Sequence, residues 1–184
     1  MIPIQNIYYM LSYAFQVLNE QGYKNIATEQ FNNTAELMAA ILEKGIAIQL
    51  KRGLGKEYIL QTEALSSLRG KIDIAESIKT QSMLRKQLIC TYDEFSVNSI
   101  MNRIIKSTVE LLLRSNISKQ RKKNLRKLMV YFSEVDFIDL YTVNWNVQYN
   151  RNNQTYHMLI SICYLVVKGL LQTQSNGHTE LMDF

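Results

Sequence analysis

Proline and glycine, which interrupt regular secondary structure, and cysteine, which can form disulfides, are scarce in this sequence. Proline occurs once, at Pro3, and glycine seven times in 184 residues, which favours long regular elements over extended loops. The two cysteines, Cys90 and Cys163, are too few for a disulfide framework. Both have apolar neighbours, so we predict buried free thiols in a reducing, cytoplasmic setting. The longest apolar run, 158–167, is too short to span a bilayer, and no basic segment of a signal peptide precedes the first apolar residues.

Catalytic patterns are also missing. A PD-(D/E)xK nuclease requires a lysine two positions after an acid, and no Asp or Glu of this chain has one. Gly53–Lys56 lacks the spacing of a phosphate-binding P-loop. The two histidines, His157 and His178, lie far from any cysteine pair, so no zinc pattern exists. We therefore predict no catalytic residue and no metal site, and we interpret the acid pair Asp93–Glu94 as structural rather than catalytic.

Positive charge is concentrated in one stretch of the chain. The net charge is +5, and residues 101–127 contain nine Lys and Arg against one acid, Glu110. Such cations can neutralise phosphates, form an ordinary solvated surface or pair with an acidic protein. Aromatic residues are not interleaved with them, which disfavours stacking on single strands. The residues that we expect at a DNA contact are Lys119, Lys122, Lys123 and Arg126.

Apolar periodicity predicts an α+β domain that is predominantly helical. Helices are predicted over 4–19, from an N-cap at Thr34 to just before Gly53, over 75–83, over 99–114, from a cap at Ser118, and over 155–171. The first is predicted to bury Ile7, Tyr8 and Leu11. Runs rich in β-forming residues predict a small antiparallel sheet or hairpin from about 56–74 and 88–92.

Six strings, in order and covering most of the chain, resemble the McrC family. They are Ile2–Ala14, Lys51–Leu54, Leu68–Asp73, Cys90–Phe95, Asn102–Thr108, and Asn150–Asn153 with Tyr156. That family supplies the nuclease subunit of the McrBC system, which restricts DNA containing 5-methylcytosine. The motif residues that we interpret as structural are Asn6, Tyr8, Tyr9, Asp73, Asp93, Glu94, Asn102, Arg103, Lys106, Arg151 and Asn152.

The resemblance implies a partner protein and different tasks for the N-terminal and C-terminal parts of the subunit. The N-terminal region of the family docks into a hexameric ring of an McrB-like AAA+ GTPase and stimulates hydrolysis of GTP, which that partner binds with Mg²⁺. A C-terminal PD-(D/E)xK nuclease domain, which would bind Mg²⁺, makes the full-length subunit an endonuclease. Two departures stand out: Gln5 replaces a residue that is often basic, and Phe184 lies about where the nuclease half should begin. We therefore expect residues 1–184 to be the GTPase-contacting domain without its nuclease, whether as an isolated domain, a truncated gene product or a split subunit.

Three functional hypotheses remain open at this stage. The first is a non-catalytic activator that couples GTP hydrolysis to cleavage of modified DNA. Its candidate partner-binding residues are Lys51, Arg52, Lys56, Arg69 and Lys71. Arg69 could supply charge near a nucleotide pocket or could be an ordinary surface residue beside a turn. The alternatives are a DNA-binding adaptor that uses the 101–127 basic face, and a truncated remnant without activity. Stimulated GTP turnover would favour the activator, and duplex binding that is lost on charge reversal would favour the adaptor.

Overall fold

A computed structural model of the chain describes residues 4–23, 31, 33–149 and 153–174. The chain divides into two compact units. Met1–Leu54 and Ile100–Phe184 form a helical unit, and Gly55–Ser99 form a sheet unit that is inserted into it along the chain. None of the described helices combines the length and the hydropathy that a membrane span requires.

The described residues of the helical unit form five α-helices. They are α1 (Ile4–Glu20), α2 (Thr34–Arg52), α4 (Ile100–Arg114), α5 (Lys119–Met129) and α6 (Gln154–Gln174), with a short 3-10 helix at Val130–Phe132. Their positions confirm the predicted helices to within a few residues. Two details were wrong. Asn33, not Thr34, caps α2, since its side chain accepts a hydrogen bond from the Glu36 N–H. Tyr8 is 74% exposed, whereas Ile7 beside it is buried.

Helix α6 lies in the core, where it packs against α1, α2 and α4. At its crossing with α2, Gly45 allows a close approach. A Cβ at this position would lie 2.5 Å from Cε of Met158 and 2.7 Å from Cδ2 of Leu159. Cys163 is fully buried in the same helix, and burial raises the pKa of its thiol to about 12. The prediction of buried free cysteines is thus confirmed for both positions, and Cys163 is unsuited to act as a nucleophile.

Helix α5 is fixed to α2 by a polar cluster. The backbone N–H and the hydroxyl of Ser118 donate to Glu36 at 2.7 and 2.9 Å. Arg121 pairs with Glu36 at 3.2 Å and with Glu43 at 2.7 Å. Ser118 also caps α5, as predicted, by accepting from the Arg121 N–H. The acids of α2 therefore determine where the N-terminal half of α5 lies.

The sheet unit contains three antiparallel strands, β1 (Glu57–Leu65), β2 (Lys71–Asp73) and β3 (Leu88–Ser96). Helix α3 (Ile74–Lys79) and a 3-10 helix at Ser82–Arg85 connect the last two. The strand order is β1-β3-β2, so the predicted antiparallel sheet is confirmed. A hairpin that pairs 56–65 with 71–74 is wrong, because β3 lies between those strands and pairs with both. Strand β3 is also longer than predicted and includes Asp93 and Glu94.

Gly70 makes the entry into β2 possible. Its φ is +67°, in the left-handed region that favours glycine. A Cβ here would collide with the Thr91 carbonyl oxygen and would lie 2.7 Å from Cβ of Tyr92. Glycine is therefore the residue that lets the chain enter β2 beside β3 without strain.

Candidate partner-binding surfaces

The sheet unit exposes an unusual number of large apolar side chains. Eight of its residues are more than half exposed: Tyr58, Leu60, Leu68, Ile74, Ile78, Met83, Leu84 and Phe95. The unit has only 45 residues, Gly55–Ser99. Isolated exposed apolar residues are normal, but a concentration of them marks a surface that another molecule covers.

Three of these residues share one face of the β1–β3 ladder, which we call the aromatic face (Tyr58, Leu60 and Phe95). Tyr58 lies opposite Phe95 in the antiparallel register, with ring centroids 5.0 Å apart. Leu60 follows on the same side, because side chains alternate along a strand. Their exposed fractions are 75% for Tyr58, 67% for Leu60 and 55% for Phe95. Aromatic side chains of this kind are enriched at protein interfaces.

The opposite face of the ladder holds Arg69 in a defined position. Its guanidinium carbon lies 4.0 Å from the ring centroid of Tyr92. The Tyr92 hydroxyl donates a short hydrogen bond to the Glu63 carboxylate, and this bond raises the pKa of Tyr92. A guanidinium stacked on a ring keeps its N–H groups free at the edge. Arg69 is thus exposed, and its contact with the Tyr92 ring fixes the orientation of its guanidinium.

The five predicted partner-binding residues are divided between the two units. Lys56 and Lys71 lie with Arg69 in the sheet unit, and Lys51 and Arg52 end α2 in the helical unit. The Lys56 ammonium lies 5.8 Å from the ring centroid of Phe95, at the aromatic face. Lys71 pairs with Thr91 in the β2–β3 register, so it lies on the face opposite to Tyr92.

Lys51 and Arg52 differ in how far they are engaged. Both are exposed. The guanidinium of Arg52 donates to the Gln21 side chain at 3.0 Å and to the Thr155 hydroxyl at 3.5 Å. Arg52 therefore links α2 to neighbouring parts of the helical unit.

The cations of the 101–127 stretch have two different roles. Those of α4 are engaged within the helical unit. Lys106 donates to the carbonyls of Phe132 and Val135 at 2.9 and 2.5 Å, and Arg103 donates to the Phe137 carbonyl at 3.3 Å. Arg114 pairs with Glu110 at 3.2 Å. Arg114 is nevertheless 74% exposed. The cations of this stretch to which the described residues offer no ion pair or side-chain hydrogen bond are all on α5.

Several motif residues have structural positions. Asn102 accepts a hydrogen bond of 2.7 Å from the buried Tyr156 hydroxyl. Asp73 caps α3, since its carboxylate accepts from the Glu76 N–H at 2.9 Å. The remaining described motif residues on α1 and β3 have exposed side chains: Asn6, Tyr8, Tyr9, Asp93 and Glu94. Arg151 and Asn152 lie outside the described residues.

Sequence reasoning missed the aromatic face and the partners of Arg69. The signal was present, because Tyr58 and Leu60 alternate along a strand and so must share a face. It was not decisive, since a period-two apolar pattern usually marks the side that packs on a core. The Tyr92–Glu63 bond depends on the register of β1 against β3, which the separate strands do not specify.

Exposed apolar side chains are concentrated on the sheet unit, and cations on α5. Among the described residues, no three His, Cys, Asp or Glu side chains converge where they could hold a metal ion. The architecture is that of an α+β domain in which a small sheet unit is inserted into a helical unit. The chain belongs to the family described as McrBC 5-methylcytosine restriction system component, whose model matches residues 5–184.

A curated relative and two solved structures support this assignment. The chain is 28% identical over 185 residues to the Type IV methyl-directed restriction enzyme EcoKMcrBC of Escherichia coli strain K12, which covers 100% of this chain and 53% of that protein. It therefore spans about half the length of the relative.

Both solved structures come from Thermococcus gammatolerans. A chain of its McrBC complex matches with a TM-score of 0.61 and 21% identity, over 89% of this chain and 50% of that one. A chain of the tetradecameric assembly of McrB AAA+ hexamers with bound McrC matches with a TM-score of 0.58 and 21% identity, over 85% and 41% of the respective chains. At this level of identity the likeness establishes the fold.

Proposed function

We propose that this chain is the part of an McrC-like restriction subunit that binds an McrB-like AAA+ GTPase hexamer and stimulates its GTP hydrolysis. In the assembled cytoplasmic system it would couple that hydrolysis to cleavage of DNA containing modified cytosine. The GTP and Mg²⁺ would be bound by the partner ring. The cleavage itself, with its own Mg²⁺, would be carried out by a nuclease domain outside residues 1–184.

The observation that carries the proposal is the exposed apolar surface of the sheet unit. The sheet unit leaves eight large apolar side chains more than half exposed, three of them together on the aromatic face, and such exposure is costly in water. Burial against a partner removes that cost, at about 25 cal/mol for each Å² of apolar area covered. One of the fold relatives is a chain from an assembly of McrB AAA+ hexamers with bound McrC, and we propose a ring of that kind as the partner.

Arg69 is the residue that we assign to the stimulation of hydrolysis. It is exposed, and its stacking 4.0 Å from the Tyr92 ring centroid fixes the plane of its guanidinium. A planar guanidinium can bind phosphate oxygens directly or can orient the partner residues that do so. Its rigid placement lowers the entropy that is lost on engagement. Lys56 and Lys71 lie on the side of the aromatic face, opposite to Arg69, and would add charge there.

The test is GTP turnover by the cognate ring with and without the purified chain. We expect addition of the chain to raise turnover, and we expect Arg69→Gln to reduce the stimulation by about tenfold or more while binding persists. The matched control is Arg85→Gln, which removes another exposed cation of the sheet unit. It should leave stimulation unchanged.

A second pair of variants tests the docking surface. Leu60→Ser with Phe95→Ser should weaken binding to the ring, whereas Val130→Ser with Tyr131→Ser removes comparably exposed apolar groups of the helical unit and should not. Circular dichroism should establish that all variants fold. A ring that binds the chain without any change in turnover would refute the activator role. Equal losses from both double variants would refute the docking surface.

A further inference from the structure

We propose that the outer face of α5 binds the phosphate backbone of duplex DNA, independently of any contact with the GTPase. The sequence of α5 contains six cations and no acid. One of them, Arg121, faces α2 and is paired with Glu36 and Glu43. The described residues offer the other five no ion-pair partner within 4.0 Å: Lys119, Lys122, Lys123, Arg126 and Lys127.

Contacts on the inner face of α5 fix this helix, and with it the outer cations, against α2. Arg121 contacts Glu36 at 3.2 Å and Glu43 at 2.7 Å, and the Asn124 amide donates to Glu43 at 2.8 Å. Leu125, the next residue along the helix, is fully buried. Because one side of the helix is anchored, the backbone beneath the outer cations does not need to be ordered when a ligand binds. Only the side chains lose freedom on binding.

The spacing of the cations suits a polyphosphate rather than a single ion. Lys119, Lys123 and Arg126 follow a helical repeat of four and three residues and so share one side of α5. The helix advances about 1.5 Å per residue, which spreads these three charges over roughly 10 Å. Duplex DNA presents one negative charge for about every 1.7 Å of its axis. Several phosphates therefore fall within reach of the long, flexible side chains.

The composition of α5 favours duplex DNA over an acidic protein partner and over single strands. Lysine is depleted at the cores of protein interfaces, where aromatic and apolar side chains dominate. The outer face of α5 has the reverse composition, since its apolar residues Leu125, Leu128 and Met129 are buried or half-buried. In addition, α5 contains no aromatic residue, so stacking on single strands is not supported. A lysine-rich helix without aromatics fits a duplex backbone that is bound by charge.

The experiment measures binding of the 184-residue chain to a short, unmodified DNA duplex by fluorescence anisotropy between 50 and 200 mM salt. If four phosphates are neutralised, the slope of log K against log salt should be about −3.6, at about 0.9 for each contact. The combined variant Lys122→Glu, Lys123→Glu, Arg126→Glu should weaken binding at 50 mM salt by at least about tenfold and make the slope shallower by about 2.7.

The matched control combines Lys79→Glu, Arg85→Glu and Lys86→Glu, which changes the net charge equally on exposed residues of the sheet unit. It should shift the affinity by no more than a few-fold through long-range charge and should leave the slope unchanged. Neutral Gln substitutions at 122, 123 and 126 should have an intermediate effect. They keep the measurement valid if three new glutamates unfold α5.

Three results would overturn the proposal. The first is the absence of wild-type binding at 50 mM salt. The second is an equal loss in the α5 variant and its control, which would mean that net charge alone attracts DNA. The third is an unchanged affinity for DNA together with weaker binding of the α5 variant to the GTPase ring, which would assign the face to an acidic protein surface.

Discussion

The hydroxyl of Tyr156 donates a hydrogen bond of 2.7 Å to Oδ1 of Asn102, and both side chains are buried. The bond joins α6 to α4 inside the helical core. Tyr156→Phe nearly conserves the volume but removes this donor from a buried acceptor. We expect the free energy of unfolding to fall by about 1–3 kcal/mol, seen as a lower urea midpoint with an unchanged slope.

Tyr131→Phe is the control for this substitution, because Tyr131 is 67% exposed and its hydroxyl faces water. It should change the unfolding free energy by less than about 0.5 kcal/mol. If the two variants were equally stable, the buried bond would make no net contribution to the stability of the helical unit.

The sequence contained enough information for the helices and for the presence of an antiparallel sheet, but not for the order of its strands. The apolar stripe of α4 and the Ser118 cap are local patterns, and local patterns specify helices. Strand order is different, because it depends on which distant edges pair. β1 and β2 are close in sequence and suggest a hairpin, but β3 pairs with both. The Arg69–Tyr92 contact depends on that order, so no reading of residues 68–73 alone predicts it.

The partners of Arg121 were also beyond sequence reasoning. The helical period places Arg121 on the side of Leu125 and Leu128, away from Lys123, and the expected DNA contact left it out. Which acids it pairs with follows only from the direction in which α2 presents Glu36 and Glu43. A dense run of cations therefore combined one residue that stabilises the fold with several that are available to a ligand.

Stability should depend on pH through Glu36. Burial opposes its ionised form, but hydrogen bonds from the Ser118 backbone and hydroxyl and from Arg121 outweigh it, so the pKa of Glu36 is lowered. A lowered folded-state pKa stabilises the fold above the unfolded value of about 4.3. That stability is lost as the pH falls through the folded-state pKa. Urea denaturation between pH 7 and 3 should show this decline.

Glu36→Gln removes the titrating group and the charge that holds Arg121. We expect the free energy of unfolding to fall by about 1.5–3 kcal/mol at pH 7. Its further decline between pH 7 and 3 should be smaller than in the wild type. Glu134→Gln, on an exposed residue, serves as the comparison and should retain the wild-type profile. If the Glu36→Gln protein lost as much stability between pH 7 and 3 as the wild type, another carboxylate would be the cause of the decline.

The turn at Gly70 should tolerate no side chain. Gly70→Ala meets both a left-handed φ of +67° and a collision with the Thr91 carbonyl oxygen. Gly22 has a φ of +94° with nothing within 4 Å of the added Cβ, so Gly22→Ala isolates the backbone term, about 1–2 kcal/mol. Gly70→Ala should cost more, on the order of 3 kcal/mol. Faster hydrogen exchange in β1 and β3 should identify the sheet unit as the affected part.

Because Gly70 directly follows Arg69, the same variant should also reduce stimulation of the GTPase at temperatures where the sheet unit remains folded. Gly22→Ala should not do so. Wild-type stimulation by a Gly70→Ala protein with a destabilised sheet unit would show that the position of Arg69 on Tyr92 is not needed.

Lys106 and Lys123 should respond in opposite ways to the same substitution. Lys106→Met removes donors to the carbonyls of Phe132 and Val135, at 2.9 and 2.5 Å. We expect it to lose about 1.5–3 kcal/mol of stability without weakening DNA binding. Lys123→Met removes only an exposed charge of α5. It should stay within about 0.5 kcal/mol of wild type and make the salt slope of DNA binding shallower by about 0.9. Each variant is the control for the other. If both proteins lost stability and also bound DNA more weakly, the cations of α4 and those on the outer face of α5 would not have separate structural and DNA-binding roles.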